Sequence, residues 1–271
     1  KNGGVQYWVA PNDTSLRTSN WTDIEVSQIA KDFESLFNNP KNKDLIKTII
    51  ETIYDKNAII LDFFSGSATT AHAVMQLNAE DGGKRKFIMV QLPEKTDEKS
   101  EAFKAGYENI CEIGKERIRR AGEKIKEEAG LNGQDLDIGF RVLKLDSSNM
   151  KDIYYSADEY DQGMLENMQS NTKEDRTDLD LLFGCLVDWG LELDKPYTTK
   201  VINGHKVHIY NDGDLVACFE KDLDMKTIDE IAKLQALRVV FSDNSFVDSA
   251  TKINVAEHFK MIAPDTDIKV I

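Results

Sequence analysis

Ile59-Ile60-Leu61-Asp62-Phe63-Phe64-Ser65-Gly66-Ser67-Ala68-Thr69-Thr70 is an apolar run of strand length that ends in a small-residue loop. Asp62 interrupts the run just before Gly66, Ser67 and Ala68, whose small side chains allow close backbone approach. The pattern predicts a buried strand followed by a helix from about Thr69 to Leu77, whose unpaired N–H groups face whatever binds. A polar turn, Asp81-Gly82-Gly83, then leads to a second strand, Lys86 to Leu92. Strand, helix and strand make a right-handed crossover with a parallel pair, the setting in which a nucleoside-carrying cofactor binds.

The loop separates the cofactor classes that use such a unit. A phosphate-cradling loop ends in Gly-Lys-Ser/Thr, but Gly66 is followed by Ser67-Ala68-Thr69-Thr70 with no lysine; a dinucleotide fingerprint needs three glycines, and here there is one. The remaining pattern, Asp-x-Phe-x-Gly-Ser-x-Thr-Thr, resembles the cofactor motif of amino-methylating DNA methyltransferases that use S-adenosylmethionine. Upstream, Trp21-Thr22-Asp23-Ile24 and Asn39-Pro40-Lys41-Asn42-Lys43-Asp44-Leu45-Ile46 resemble the modification subunits of type III restriction systems. So do Leu77 to Ile88, Gln91-Leu92-Pro93-Glu94, Ile113-Gly114 with Arg117-Ile118-Arg119-Arg120-Ala121, and Arg238-Val239-Val240-Phe241 with Asp243.

The resemblance implies an α/β fold: a partial Rossmann-like methyltransferase sheet followed by a smaller α+β carboxyl-terminal domain. It implies a cofactor-binding part over residues 1–135, opening with the end of the target-recognition region, and an assembly domain over 136–271. In this family an Asp/Asn-Pro-Pro-Tyr/Phe segment orients the target amine. The five prolines here, Pro11, Pro40, Pro93, Pro196 and Pro264, include no adjacent pair. The expectation is a carboxyl-terminal fragment with no catalytic residue of its own, inactive alone. The full protein would methylate the exocyclic amine of adenine in DNA, with a second modification subunit and a restriction subunit as partners. The alternative is a non-catalytic binding and assembly module.

Site residues follow from the same resemblance. Asp62 would contact the cofactor's amino group, or merely cap the loop from the strand end. Phe63, Phe64 and Gly66 line the same place. Ser67, Thr69 and Thr70 would cap the helix, a role compatible with binding. Ala68 stands where the family commonly has glycine. Gln91 takes the place of the acidic ribose ligand, with Glu94 as its rival, and Asn39 and Lys41 would close over the methionine end or simply flank a helix.

Composition bounds the rest. A formal net charge of -14 argues against a general polyanion-binding surface, so DNA binding by this chain alone is expected to be weak or absent. No apolar stretch approaches membrane-spanning length and no signal pattern opens the chain, which points to the cytoplasm and no membrane partner. Cys111, Cys185 and Cys218 support neither a disulfide framework nor a zinc site, and His205 and His208 have no partner at metal spacing.

Apolar spacing predicts helices over Asp44 to Tyr54 and Ser100 to Ala129, the latter with Arg117, Arg119, Arg120 and Lys124 on a solvated or interface face. Beyond the turn at 130–135, strands are expected at Phe140 to Leu145 and, as an antiparallel meander with turns at Asn203-Gly204 and Asp212-Gly213, at 200–202, 206–210 and 215–219. Helices at Leu179 to Trp189, Thr227 to Leu234 and Thr251 to Met261, and strands at Leu237 to Phe241 and Ile268 to Ile271, complete the pattern. Asp243, Asp248 and Lys252 suggest a nuclease-like cluster, but the structural reading is preferred.

Overall fold

The computed structural model describes residues 41–151, 172–247 and 249–271. Trp21 to Ile24, Asn39, Pro40, most of the polar stretch after Asp158, and Asp248 therefore lie outside the described residues. The chain divides into two compact units between Gly139 and Phe140.

In the first unit, helix α1 (Lys43–Glu51) starts at Asn42, whose Oδ1 accepts from the N–H groups of Asp44 at 2.7 Å and Leu45 at 3.3 Å. Strand β1 (Ile59–Phe63), helix α2 (Thr69–Asp81) and strand β2 (Lys86–Val90) follow. β1 and β2 pair in parallel, from Ile59 opposite Lys86 to Phe63 opposite Val90. One face of this pair packs Ile60 and Phe87 against Ile46 and Ile50 of α1 and Ala73, Val74 and Leu77 of α2. The other face carries Ile59, Leu61, Phe63, Ile88 and Val90, all exposed. This corrects the expectation of a buried strand: among the described residues, helices pack on one side of the pair, and alternate residues of β1 are exposed.

α2 extends one turn past Leu77 and ends at Gly82, whose φ of 68° and N–H bond to the Asn78 carbonyl at 3.0 Å close the helix. The turn into β2 is pinned by side chains. Asn78 accepts from the Arg85 N–H at 3.1 Å and donates to its carbonyl at 2.9 Å, and Arg85 donates to both oxygens of Asp81 at 3.0 Å. These bonds from the Arg85 guanidinium hold the Asp81 carboxyl down at about 2. A Cβ at Gly83 would sit 2.4 Å from Arg85 Nη1, so a larger residue there would shift the guanidinium.

The long helix expected over 100–129 is two helices, α3 (Glu101–Lys104) and α4 (Ile110–Ala129). Gly106, at φ 92°, breaks the chain, and Asn109 caps the second helix by accepting from the Glu112 N–H at 3.1 Å. α4 buries Ile113, Gly114, Arg117, Ile118, Ala121, Gly122 and Ile125. Arg117 thus belongs to the inner face, not to the charged outer one on which it was expected. Arg119 and Arg120 do face outward, each paired with Glu116.

In the second unit, residues 140–145 form no strand. Arg141 instead donates to the carbonyls of Leu193 and Lys195 and stacks on Phe183 and Tyr197. Helix α5 (Asp178–Asp188) opens with a reciprocal cap between Thr177 and Asp180. Strands β3 (Tyr197–Ile202), β4 (His205–Tyr210) and β5 (Leu215–Cys218) are antiparallel neighbours, and β6 (Arg238–Phe241) and β7 (Asp267–Val270) extend the sheet in parallel. Helices α6 (Met225–Ala232) and α7 (Ser249–Ile262) provide the crossovers that parallel strands require. The unit is therefore an antiparallel meander joined to a β-α-β-α-β run, in the order of elements that the sequence predicts.

Both faces of the central strands β5 and β6 are buried. Leu215, Ala217 and Val240 pack with Leu182, Cys185 and Leu186 of α5, while Val216, Cys218, Val239 and Phe241 pack with Ile228, Ile231, Val255 and Phe259 of α6 and α7. Burial pushes the thiols of Cys185 and Cys218 up to about 11, so they act as small core groups. Lys252 contacts Asp243, and His208 is buried with Thr199 Oγ1 at 2.9 Å and Asp178 at 3.5 Å, which gives these residues structural partners. No described helix is long and apolar enough to cross a membrane.

Candidate functional site

The loop between β1 and α2 is built mostly by its own backbone. The N–H groups of Phe64 and Ser65 both donate to the Val90 carbonyl, at 2.9 and 3.2 Å, so the chain stays against β2 after β1 has ended. It then turns sharply: φ is 105° at Phe64, 55° at Gly66 and 60° at Ala68, and the Ala68 N–H donates to the Ser65 carbonyl at 2.8 Å. Positive φ is easy for Gly66 and costly for Phe64 and Ala68, so surrounding contacts must hold this shape. One such contact is Gln91, whose Oε1 accepts from the Gly66 N–H at 2.8 Å.

The hydroxyls of Ser67, Thr69 and Thr70 turn inward. Thr70 Oγ1 donates to Asp62 Oδ2 at 2.5 Å, while Ser67 Oγ and Thr69 Oγ1 accept from Arg117 Nη1 at 2.8 and 2.7 Å. Ser67, Thr69 and Thr70 are all buried. None caps α2, whose N-cap position is Ala68 and which has no side-chain cap. The capping role expected of these residues is thus overturned, because their oxygens serve the protein interior.

Arg117 is 2% exposed. Desolvation pushes its guanidinium down to about 10, which still leaves it charged at neutral pH. α4 comes close to the loop at Gly114, where a Cβ would lie 3.5 Å from both the Ala68 Cβ and the Gly66 carbonyl oxygen. The Ala68 methyl is consequently buried against α4.

Of the residues expected at the site, Asp62, Phe63, Phe64, Gly66, Ser67, Thr69, Thr70 and Gln91 come together around this loop. Phe63 and Phe64 present exposed rings 5.8 Å apart. Lys41 and Glu94 are exposed, and neither side chain is hydrogen-bonded to the loop. Asn39 lies outside the described residues. Two structural residues escaped the sequence reading: Asn42 as the cap of α1, and Arg117 beneath the loop. Arg117 had a signal, since it lies three residues after Gly114 and four before Ala121 on the apolar stripe.

Chemically, the site offers an uncapped helix start for an anionic group, a carboxylate at Asp62 for a cationic or amino group, and exposed aromatic surface. A family model described as DNA methylase matches residues 6–123. The type III restriction-modification enzyme StyLTI Mod subunit of Salmonella typhimurium is 45% identical over 108 residues, 40% of this chain and 16% of that protein. The EcoP15I Mod subunit of Escherichia coli is 29% identical over 252 residues, 91% of this chain and 37% of that protein. The type II methyltransferase M.KpnI of Klebsiella pneumoniae is 38% identical over 108 residues, 40% of this chain and 25% of that protein. The chain spans well under half the length of each of these relatives. The chain is similar to the modification subunits of type III restriction-modification enzymes, and its residues 6–123 are similar to the DNA methylase family.

Proposed function

We propose that the β1–α2 loop is an S-adenosylmethionine site and that the chain is the cofactor-binding and carboxyl-terminal part of a type III adenine-specific DNA methyltransferase. The observation that carries this reading is the direction of the loop's polar groups. Hydroxyls that could cap α2 are tied to Arg117 and Asp62 instead, leaving the helix start uncapped beside Gly66.

The residues present fit the cofactor. The first-turn N–H groups of α2 suit its carboxylate, Asp62 suits its ammonium, and the Phe63 and Phe64 rings suit its adenine. Gln91 Oε1 already accepts from Gly66, so part of its role is to hold the loop, and Gln91, with Glu94 as its rival, is the candidate to accept from ribose hydroxyls. Lys41 and Asn39 would close the methionine end. When bound, the cofactor supplies an electrophilic methyl group for an exocyclic amine. This chain's own contribution is to hold and orient it, since an Asp/Asn-Pro-Pro segment is absent from the 271 residues.

Calorimetric titration with S-adenosylmethionine tests the reading. Saturable one-to-one binding is expected, abolished by Gly66→Val, which puts a branched side chain at φ 55° in the loop, and weakened roughly tenfold by Asp62→Ala. Absence of binding by the folded chain, or normal binding by Gly66→Val, contradicts it. Turnover of DNA by the chain alone is not expected, because methyl transfer requires the acceptor amine to be aligned as well. In the full protein, DNA, a second modification subunit and a restriction subunit are the proposed partners. The match to EcoP15I Mod continues into the second unit, and an assembly role is proposed for residues 140–271.

A further inference from the structure

We infer that Arg117 is a positioning residue that, with Gly114, clamps the β1–α2 loop from α4 in the shape that receives the cofactor. This rests on the S-adenosylmethionine reading of the loop and adds the device that preforms it.

Three observations carry the inference. The loop holds non-glycine residues at positive φ, Phe64 at 105° and Ala68 at 60°, a conformation that relaxes unless contacts enforce it. One nitrogen of a buried guanidinium reaches both Ser67 and Thr69, on either side of Ala68, at 2.8 and 2.7 Å. The bond across Ala68 fixes the residue at which the chain changes from loop to helix. Gly114, one turn earlier on the same face of α4, lets the helix approach until only a methyl-sized space remains above Ala68 and the Gly66 carbonyl. Burying a guanidinium is costly, and its hydrogen bonds to the two hydroxyls help offset that cost. Those bonds consume the loop's hydroxyls from behind, so backbone groups face the ligand in a fixed arrangement, and binding need not order the loop. Gln91 holds the other end through the Gly66 N–H.

The test compares Arg117→Lys and Arg117→Met with the parent chain, by amide hydrogen exchange and by calorimetry with S-adenosylmethionine. In Arg117→Met, exchange at residues 64–70 is expected to accelerate at least tenfold while β2 keeps its protection, and the Kd to rise at least tenfold. Arg117→Lys retains the charge but not the planar fork, and is expected to recover part of both. Should Arg117→Met fail to fold, Arg117→Lys decides alone: its effect on Kd is expected to shrink in a Thr69→Val background, because the two residues act through one bond. Unchanged loop exchange and unchanged Kd in folded Arg117→Met, or in folded Arg117→Lys where Arg117→Met does not fold, overturn the positioning role. Failure of the parent chain to bind overturns the cofactor reading instead, and loop exchange still decides whether Arg117 holds the loop.

Discussion

The two units build parallel strands from the same residue types but finish them differently. In the second, β5 and β6 bury every residue from Leu215 to Cys218 and from Val239 to Phe241 between α5 on one side and α6 and α7 on the other. In the first, β1 alternates, and its outward residues Ile59, Leu61 and Phe63 stay exposed. A parallel pair is ordinarily covered on both faces. The central strands of the second unit are thus covered on both faces, whereas the first unit combines a loop held by side-chain hydrogen bonds with an exposed apolar face. Order at the loop comes from side-chain clasps, Arg117 on Ser67 and Thr69 and Gln91 on Gly66, more than from a deep core.

Truncation in the completed sheet has the largest expected effect. Phe241 is fully buried and meets the rings of Phe246 and Phe259 at 5.3 and 6.1 Å. Phe241→Ala is expected to cost about 3–5 kcal/mol in urea unfolding of the second unit. A loss below about 1 kcal/mol would mean that this core is not packed as described.

The clasped turn in the first unit comes next. Asp81→Asn removes the charge that pairs with buried Arg85 and is expected to cost about 1–2 kcal/mol at neutral pH, read from amide exchange at Lys86–Val90. The pH dependence has a definite sign. The folded carboxyl is depressed to about 2, so its stabilisation is complete above the unfolded value near 4 and is lost as pH falls through about 2. The parent chain should therefore lose protection of β2 between about pH 4 and 2, and Asp81→Asn should show a flatter profile. Equal slopes would break the assignment.

The smallest effect belongs to the open face. Leu61→Gln, at a residue 56% exposed, is expected to change stability by no more than about 0.5 kcal/mol and to reduce self-association if the apolar face is sticky. A core-sized loss would show that Leu61 is covered, and the contrast between the units would fail.

Much of this organisation was legible in the chain because local chemistry decided it. Asn203-Gly204 specifies a hairpin turn, and both residues adopt positive φ, 49° and 94°. The apolar run of β1, Gly66 and the polar turn before β2 fixed a strand, helix and strand without tertiary information. The failures have physical causes. Phe140 to Leu145 is rich in apolar residues, but a strand needs a partner, and Arg141 ties this segment to carbonyls and rings instead. The split at Gly106 and Asn109 was visible as a glycine and a capping residue but was outweighed by apolar spacing on both sides. The charge of Arg117 suggests an outward residue, but its spacing from Gly114 and Ala121 places it on the buried face. The hydroxyls of Ser67, Thr69 and Thr70 show the limit of motif reading: the pattern located the loop but could not say which way its side chains turn.

The central claim is that the uncapped start of α2, braced from behind, receives S-adenosylmethionine through backbone groups. Amide-resolved NMR titration of the chain with S-adenosylmethionine tests it most directly. The expected result is saturable shifts concentrated at residues 62–72, with the β3–β5 amides unmoved. Shifts confined to the second unit, or none at millimolar cofactor, would contradict it.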